Sequence, residues 1–541
     1  MTDNTEQRKR SIGRVAGAIT ASGLLTVKSP NVRVEDGFIR SRFRYVTVNA
    51  VLDEEGNVVA IPTERFYRFK TKFQPRKLGL LQVGWGGNNG STVTAAVVAN
   101  QQGVSWETRD RVHLPNYNGS LTQAATLRVG FDDHGRDVFV PIKSVIPMAE
   151  PNNIVLGGWD ISGFNLADAM DRAGVLEPDL RRKLRPHMET MKPLPAAFDR
   201  QFIAKNQVPR ADNIIESQDK QVQLDQLRRD IRDFKEQNGL EFVVVVWTGN
   251  SERYAVESEG VNDTADNLLS SIKSSHQEVS PSTLYCVASI LEGCPYVNGS
   301  PQNTFVPGAV ELAKKHNVII SGDDFKSGQT KMKSVLADYL IGCGVKIKTM
   351  VTYNHLGNND MYQLTDEVMW KPKSASKSRV IEDIVDSNGT LYKAGGDSPD
   401  HVVVVKYVPF LGDSKRDVSE YTSETFMDCH YTTIMHNECL DSALCSPLIL
   451  DLAIFAELFS RVLYAVEDEN GKVKEESFSS MESAMSVLGF YMKIPRTPPG
   501  EPIVNALGRQ KSCIENLLRA LVGLEPENNM LLETKCPFTQ A

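Results

Sequence analysis

Lysines are the residues in this chain best placed to do chemistry. Trp370-Lys-Pro-Lys-Ser-Ala-Ser-Lys-Ser-Arg379 puts Lys371, Lys373, Lys377 and Arg379 in one polar, loop-like segment. Lys415 closes Gly412-Asp-Ser-Lys415 after a strand-like run, and Lys493 sits in Tyr491-Met-Lys-Ile-Pro495. The bland reading is a solvated basic loop. The chemical reading is a pocket for a phosphorylated substrate. Clustered ammonium groups hold a phosphate, and their mutual repulsion lowers a lysine's proton affinity enough for proton transfer. Asn354-His-Leu-Gly-Asn-Asn-Asp360 favours the pocket, because it reads as a polar loop after a strand with donors suited to sugar hydroxyls. His355 alone reads as structural. Asp323-Asp324 could hold a metal, but no third ligand is in view, so no metal site is expected. There is no G-x-S-x-G nucleophile elbow.

A second chemistry is written at Leu78-Gly-Leu-Leu-Gln-Val-Gly-Trp-Gly-Gly-Asn-Asn-Gly-Ser-Thr92. A buried strand over Leu78 to Val83 stops at Gly84. Gly86, Gly87 and Gly90 follow, and Ser91-Thr92 opens a helix of small side chains. Strand, glycine turn and helix N-terminus form the arrangement that cradles a pyrophosphate. The acidic ribose ligand of such units usually lies about 20 residues on, where this chain offers no acid after a strand. Asp160, at the end of Asn153-Ile-Val-Leu-Gly-Gly-Trp-Asp160, is the next candidate, with an insertion over about 101–150 before it. A nicotinamide site beside a phosphosugar site implies hydride transfer on a sugar phosphate.

The elements that must position these residues alternate. Further buried strands are expected at Ile154–Trp159, Glu241–Trp247 and His316–Asp324, with helices near 165–190, 217–237 and 261–275. Thr283–Leu291 reads as strand or helix. Such alternation predicts an α/β, Rossmann-type, doubly wound parallel sheet over 76–326. Its ligand site lies outside the strands' carboxyl ends, which gathers Gly84–Thr92, Asp160, Thr248-Gly-Asn250 and Asp323-Asp324. A helix entered through Ser327-Gly328 follows. The texture then changes, and an inserted α+β domain with a mixed or antiparallel sheet is expected over 327–440. Residues 441–541 read as helical again. Residues 1–75 form an N-terminal segment with strands such as Phe43–Leu52, and residues 1–12 read as polar and unanchored.

The 541 residues, 41% apolar and 24% charged, describe an ordinary globular protein of more than one domain. A net charge of −8 argues against general nucleic-acid binding. No apolar run approaches the roughly 20 residues of a membrane span, so no membrane is expected as partner. Eight cysteines without a C-x-x-C pair, and no signal peptide, point to a reducing, cytoplasmic home.

Beyond this reading, the chain closely resembles the myo-inositol-1-phosphate synthase family, in its eukaryotic branch, over about residues 12–530. The resemblance is carried by Gly84-Trp-Gly-Gly-Asn-Asn-Gly-Ser-Thr92, Asn298-Gly-Ser-Pro-Gln-Asn-Thr-Phe-Val-Pro307, Ser321-Gly-Asp-Asp-Phe-Lys-Ser-Gly-Gln-Thr-Lys331, Tyr353-Asn-His-Leu-Gly-Asn-Asn-Asp360 and Ser376-Lys-Ser378. It implies an isomerase that converts D-glucose 6-phosphate to inositol 3-phosphate with NAD regenerated each turnover. Carbon 5 is oxidised, carbon 6 is enolised, an intramolecular aldol closes the ring and the ketone is reduced. It implies catalytic roles for Lys373, Lys415 and Lys493, with Lys377 and Asp324 beside them. Lys373 is the candidate for proton transfer at carbon 5, and Lys415 and Lys493 for stabilising oxyanions and shuttling protons. Ser327, Gly328, Gln329 and Lys377 are implied as phosphate contacts, with Lys373, Lys415 and Asn354 also at the substrate. Gly84, Gly86, Gly87, Asn88, Asn89, Gly90, Asp160, Thr248, Gly249 and Gly299 are implied as NAD contacts, and Asp324, Asn354, Asp360 and Asp441 as groups around the nicotinamide. The resemblance further implies a homotetramer built on the 327–440 domain, a C-terminal part returning to the NAD-binding domain, and a monovalent cation such as ammonium as a candidate helper. Trp85 departs from the smaller apolar residue expected there, and Ala196-Ala197 from a frequent hydroxyl. A dehydrogenase of another phosphosugar with net release of reduced cofactor, and a catalytically silent NAD-binding scaffold, are the alternatives.

Overall fold

The structure, a computed structural model, describes residues 18–20, 24–366, 369, 372, 373, 376, 379–393, 397–498 and 500–532. Lys371, Lys377 and the first twelve residues therefore lie outside the described residues.

The chain builds its centre from short apolar runs that are buried on both faces. Leu78–Val83 and Phe242–Trp247 are buried at all six positions. They pair in parallel, Phe242 against Leu78 through Trp247 against Val83. The whole sheet has six strands, in the order Leu194–Pro195, Val155–Asp160, Leu78–Val83, Phe242–Trp247, Tyr296–Asn298, Ile320–Ser321. Every pairing is parallel. Numbered along the chain, that order is 3-2-1-4-5-6, the doubly wound arrangement that binds dinucleotides where the order reverses. The reversal lies between Leu78–Val83 and Phe242–Trp247. Gly84 and Thr248-Gly249 stand at its mouth.

Two local expectations need correction here, and one open alternative is decided. The glycine-loop helix runs over Asn88–Gln102 and so begins three residues before Ser91. Pro281–Leu291 is a helix, started by Ser280, whose hydroxyl accepts the Thr283 N–H, with Pro281 in the first turn. Next to it, the strand expected over His316–Asp324 shrinks to Ile320–Ser321, because the helix Pro307–His316 runs on and Asn317 ends it at φ 52°.

The inserted sheet is mixed. Its order is Asp400–Tyr407, Lys346–Leu356, Ser414–Glu424, His430–Leu440, with the first pair parallel and the others antiparallel. Strand alternation sorts its side chains. Thr352, Asn354, Asp417, Ser419 and Tyr421 are buried on the face that the helix Gly328–Gly342 covers. Gln329 Nε2 donates to Ser419 Oγ across that contact at 3.1 Å. Ile434, Tyr353 and Val402 lie on the other face and are 65%, 44% and 46% exposed.

Residues after Asp441 are not helical throughout. Val462–Val466 is a strand, antiparallel to the long hairpin arm Val58–Lys72. Hairpin and C-terminal strand thus share one five-stranded sheet. The 19-residue helix Asp441–Phe459 has the length and apolar character of a bilayer span, which the absence of long apolar runs did not lead one to expect. But 89% of that stretch is buried inside the fold, packed against the glycine-loop helix, so it serves as a core helix.

Candidate active site

The glycine loop is shaped by close approach. Gly84 has φ 90°, and a Cβ there would stand 2.5 Å from the Gly249 Cα. One at Gly90 would stand 2.3 Å from the Trp85 carbonyl oxygen. The Gly84 and Trp85 N–H groups donate to the Trp159 carbonyl at 2.8 and 3.0 Å, which ties the loop to the neighbouring strand. Gly87 caps the helix without a side chain, and Ser91 is the first N–H to find an intrahelical carbonyl, Gly87 O at 2.9 Å. The amides before it are left for an anion, and the missing side chain at Gly87 leaves room beside them. Thr248 fastens the second strand end to the first, its N–H and Oγ1 donating to Val83 O at 2.9 and 3.1 Å. Asp160 is buried at the end of its strand and accepts the Ser162 N–H at 2.9 Å. Free amides, a backbone without Cβ obstruction and a carboxylate on the second strand fit a dinucleotide.

The lysines converge on the same cleft from three parts of the chain. Residues 323–326 pair with residues 491–494, through Asp323 N–H to Ile494 O at 2.6 Å, Lys326 N–H to Tyr491 O at 2.7 Å and Lys493 N–H to Asp324 O at 2.8 Å. That pairing sets Lys493 Nζ 2.9 Å from Asp324 Oδ2. Lys373 Nζ lies 3.4 Å from Asp324 Oδ1 and 3.4 Å from Asp360 Oδ2. Ser376 Oγ donates to Asp324 Oδ2 at 2.6 Å. Lys415, second residue of its strand, reaches Asp441 Oδ1 at 2.9 Å, and Asp441 opens the core helix. The basic segment expected as a loop is helical at its described positions Pro372, Lys373 and Ser376.

The field in this cluster separates the lysines. Burial would lift the Asp324 carboxyl, but Lys373 and Lys493 outweigh it and hold that carboxyl well below the usual range. Burial pushes the Lys373 ammonium down, yet Asp324, Asp360 and Asp441 together leave it above an ordinary lysine. Lys415 is raised likewise, burial being overcome by Asp441. Lys493 alone of the three is lowered: burial dominates, Asp324 opposes it, and Lys373 and Lys415 add to it. Burial, with the neighbouring cations adding to it, therefore depresses one lysine, Lys493, while the carboxylates keep Lys373 and Lys415 as firm cations.

Gly84, Gly87, Asn88, Asn89, Asp160, Thr248, Gly249, Gly299, Asp324, Ser327, Asp360, Lys373, Lys415, Asp441 and Lys493 line one continuous cleft. Gly86, Gly90, Gly328, Gln329 and Asn354 are not in its lining. Gly86 and Gly90 shape the loop from behind. Asn354 is 1% exposed, and neither its amide oxygen nor its nitrogen has a hydrogen-bond partner. Ser327 lines the cleft and caps the helix Gly328–Gly342 without using its hydroxyl on the first turn. Lys377 lies outside the described residues. Among the described residues no group of three metal-ligating side chains gathers.

Two contributors were not singled out from sequence. Asp413 accepts from Asn88 Nδ2 at 3.2 Å, Asn358 Nδ2 at 3.2 Å and Ser442 N–H at 2.9 Å, joining the glycine-loop helix, the inserted domain and the core helix. Its place inside Gly412-Asp-Ser-Lys415 was the only available signal. Arg210 lines the cleft near Asp160, from a 3₁₀ turn with no motif around it. Trp85 is accommodated: it is 6% exposed, its Nε1 donates to Thr94 Oγ1 at 2.9 Å, and it packs among Ala95, Leu166 and Met170.

Comparison with known proteins agrees with this geometry. The profile of the family described as Myo-inositol-1-phosphate synthase, NAD-binding in type, matches residues 78–519. The chain is 52% identical over 512 residues to inositol-3-phosphate synthase 1 of Oryza sativa subsp. japonica, covering 94% of this chain and 99% of that protein. It is 52% identical, with the same coverage, to the probable inositol 3-phosphate synthase isozyme 3 of Arabidopsis thaliana. The crystal structure of inositol-3-phosphate synthase from Caenorhabditis elegans superimposes with a TM-score of 0.91 at 46% identity, over 95% of this chain and 99% of that one. A related protein from Thermotoga maritima, at 20% identity and a TM-score of 0.58, shares the fold.

Proposed function

The chain belongs to the myo-inositol-1-phosphate synthase family, and on that premise we propose which of its residues perform the reaction. It is an NAD-dependent isomerase, an inositol-3-phosphate synthase that converts D-glucose 6-phosphate to 1D-myo-inositol 3-phosphate through oxidation at carbon 5, enolisation, intramolecular aldol closure and reduction. NAD, when bound, supplies the hydride acceptor at carbon 5 and gives the hydride back.

The observation that carries the residue assignment is that Lys373, Lys415 and Lys493 line the same cleft as Gly84, Thr248 and Asp160. Asn88, Asn89 and the open amides after Gly87 hold the pyrophosphate, and Asp160 holds the adenosine ribose. The phosphate of the sugar sits against Ser327, Gly328 and Gln329, with Lys415 nearby and with Lys377 included by family resemblance. Lys493 holds its proton less tightly than an ordinary lysine and is the best group to take protons from the sugar. That reading shifts the proton-transfer role from Lys373, which Asp324 and Asp360 keep charged. Lys373 and Lys415 then supply fixed positive charge to the oxygen that gathers negative charge on enolisation and ring closure. Asp324 holds Lys373 and Lys493 in register, and Asp441 does the same for Lys415.

A homotetramer assembled through the inserted sheet is part of the proposal, supported by the large apolar side chains Val402, Tyr353 and Ile434 that stand exposed on its open face. A cytoplasmic site of action is supported by seven described cysteines that are all free thiols. The residue assignment is tested with Lys493→Ala and Lys373→Ala. Each is expected to lower turnover by at least about a thousandfold with NAD affinity kept within about threefold. Near-full turnover in either variant would remove that lysine from its role.

A further inference from the structure

The N-terminal sheet gathers like charge on one face. Its strands Val32–Glu35, Phe38–Leu52 and Val58–Lys72 set Arg33 opposite Arg40, Arg40 opposite Lys70 and Arg42 opposite Arg68. Val32, Ile39, Ser41, Phe69 and Thr71 alternate with them and are buried on the other face. Like charges directly opposite one another destabilise a sheet unless they are answered. Glu467, its side chain 3% exposed, accepts from Arg42 Nε and Nη2 at 2.8 Å each and also pairs with Arg68. Glu475 takes Lys70, and Glu35 lies 3.1 Å from Arg33 Nε. Arg40 is left with two long ion pairs, 3.6 Å to Glu475 and 3.7 Å to Glu35. Its Nε is buried and has no hydrogen-bond partner among the described residues. In this group Arg33, Arg40, Arg42, Arg68 and Lys70 thus stand against only Glu35, Glu467 and Glu475.

A cavity of about 520 Å³ opens beside these cations, within the roughly 300–1,000 Å³ in which proteins hold small ligands. Arg33, Arg40, Arg42 and Arg68 line it from the strands, and Val473 and Phe478 from the segment that follows Val462–Val466. None of its lining residues belongs to the catalytic cleft. An ion-pair network with a purely structural role has no use for a void beside a buried donor that lacks an acceptor. We propose that this cavity is a second ligand site, separate from the cleft, and that it takes a phosphate monoester with a small organic body. The dianion answers the uncompensated charge and gives Arg40 Nε its acceptor, in the fork geometry by which guanidiniums hold phosphate. The organic body lies against Val473 and Phe478, the half-buried apolar residues of the facing wall.

The test uses the full chain saturated with NAD, and calorimetric binding of two probes, phenyl phosphate and inorganic phosphate. Phenyl phosphate is expected to bind. Inorganic phosphate is expected to bind about tenfold less tightly, because it lacks the body that Val473 and Phe478 meet. Arg40→Ala is expected to weaken phenyl phosphate by about tenfold or more, on the scale of one charge-assisted hydrogen bond. Glu35→Gln removes a competing carboxylate and is expected to tighten it by about threefold. Arg33→Ala, at an exposed position, carries the same direction as Arg40→Ala should that variant fail to fold. No binding of phenyl phosphate, equal affinities for the two probes, or an affinity unchanged in the Arg40 and Arg33 variants overturns the inference. So does binding that competes with glucose 6-phosphate in turnover and ignores all three substitutions, since that puts the probe at the catalytic cleft.

Discussion

Lys493 and Lys326 show how far a single side chain is governed by its surroundings. Sequence placed Lys493 in a catalytic group, but it could not show which lysine would lose proton affinity. That depends on burial, with Lys373 and Lys415 adding to it, against the opposing pull of Asp324, 169 positions away along the chain and 2.9 Å away in space. Because burial lowers Lys493, activity should rise from the acid side with an apparent pKa below the roughly 10.4 of a free lysine. A pH–rate profile checks this, and the limb should be absent from whatever activity Lys493→Arg retains. Lys326 was not singled out at all. It is 0% exposed, its Nζ donates to the Asn505 carbonyl at 3.0 Å, and burial pushes it down to about 7, with Asp383 opposing and Lys331 adding. From about pH 7 to roughly 10.4, the unfolded chain holds a proton that the folded chain has shed, so this group makes stability rise with pH. Lys326→Met should therefore gain most over the parent at pH 6, and that advantage should shrink by on the order of 2–3 kcal/mol by pH 9. Denaturant melts at the two pH values decide it, and a pH-independent difference would mean that Lys326 does not titrate in this window.

At the scale of elements, legibility followed the range of the interactions. The strand Leu78–Val83 and the glycine turn were readable because apolar run, Gly and small-residue helix are all local signals. Alternation then gave the parallel sheet. Ile320–Ser321 was over-read because its apolar residues follow a helix whose end is fixed by Asn317. Val462–Val466 was missed because nothing near it in sequence announces its partner, the hairpin arm ending at Lys72. The switch point itself makes a strong demand. Gly84→Ala would place a methyl 2.5 Å from Gly249 at a positive φ. Strain and overpacking together should cost about 2–4 kcal/mol and weaken NAD binding, seen as a lower Tm and a higher Kd. Asp413→Ala tests the joint between three elements: it should raise the Kd for NAD by about tenfold while leaving the sheet intact by circular dichroism.

For the whole molecule, the proposed function and the proposed tetramer together give the inserted domain a job on each face of one sheet. The face under the helix Gly328–Gly342 is largely polar, with Asn354, Asp417 and Ser419 buried beneath that helix. The opposite face leaves Val402, Tyr353 and Ile434 exposed beside the Arg416–Glu438 pair. Val402→Glu with Ile434→Glu should convert a four-chain species into smaller ones in light scattering. A mass unchanged by those charges would place the interface elsewhere. The central claim is that cofactor cleft and lysine cluster act as one site in which oxidation and reduction cancel. It is tested most directly by incubating the enzyme with glucose 6-phosphate and far less NAD than sugar. The product is followed by NMR and the near-ultraviolet absorbance of reduced nicotinamide in the same tube. The account predicts many equivalents of inositol phosphate per NAD with no net rise in that absorbance. Reduced cofactor accumulating in step with sugar loss, without inositol phosphate, would contradict it.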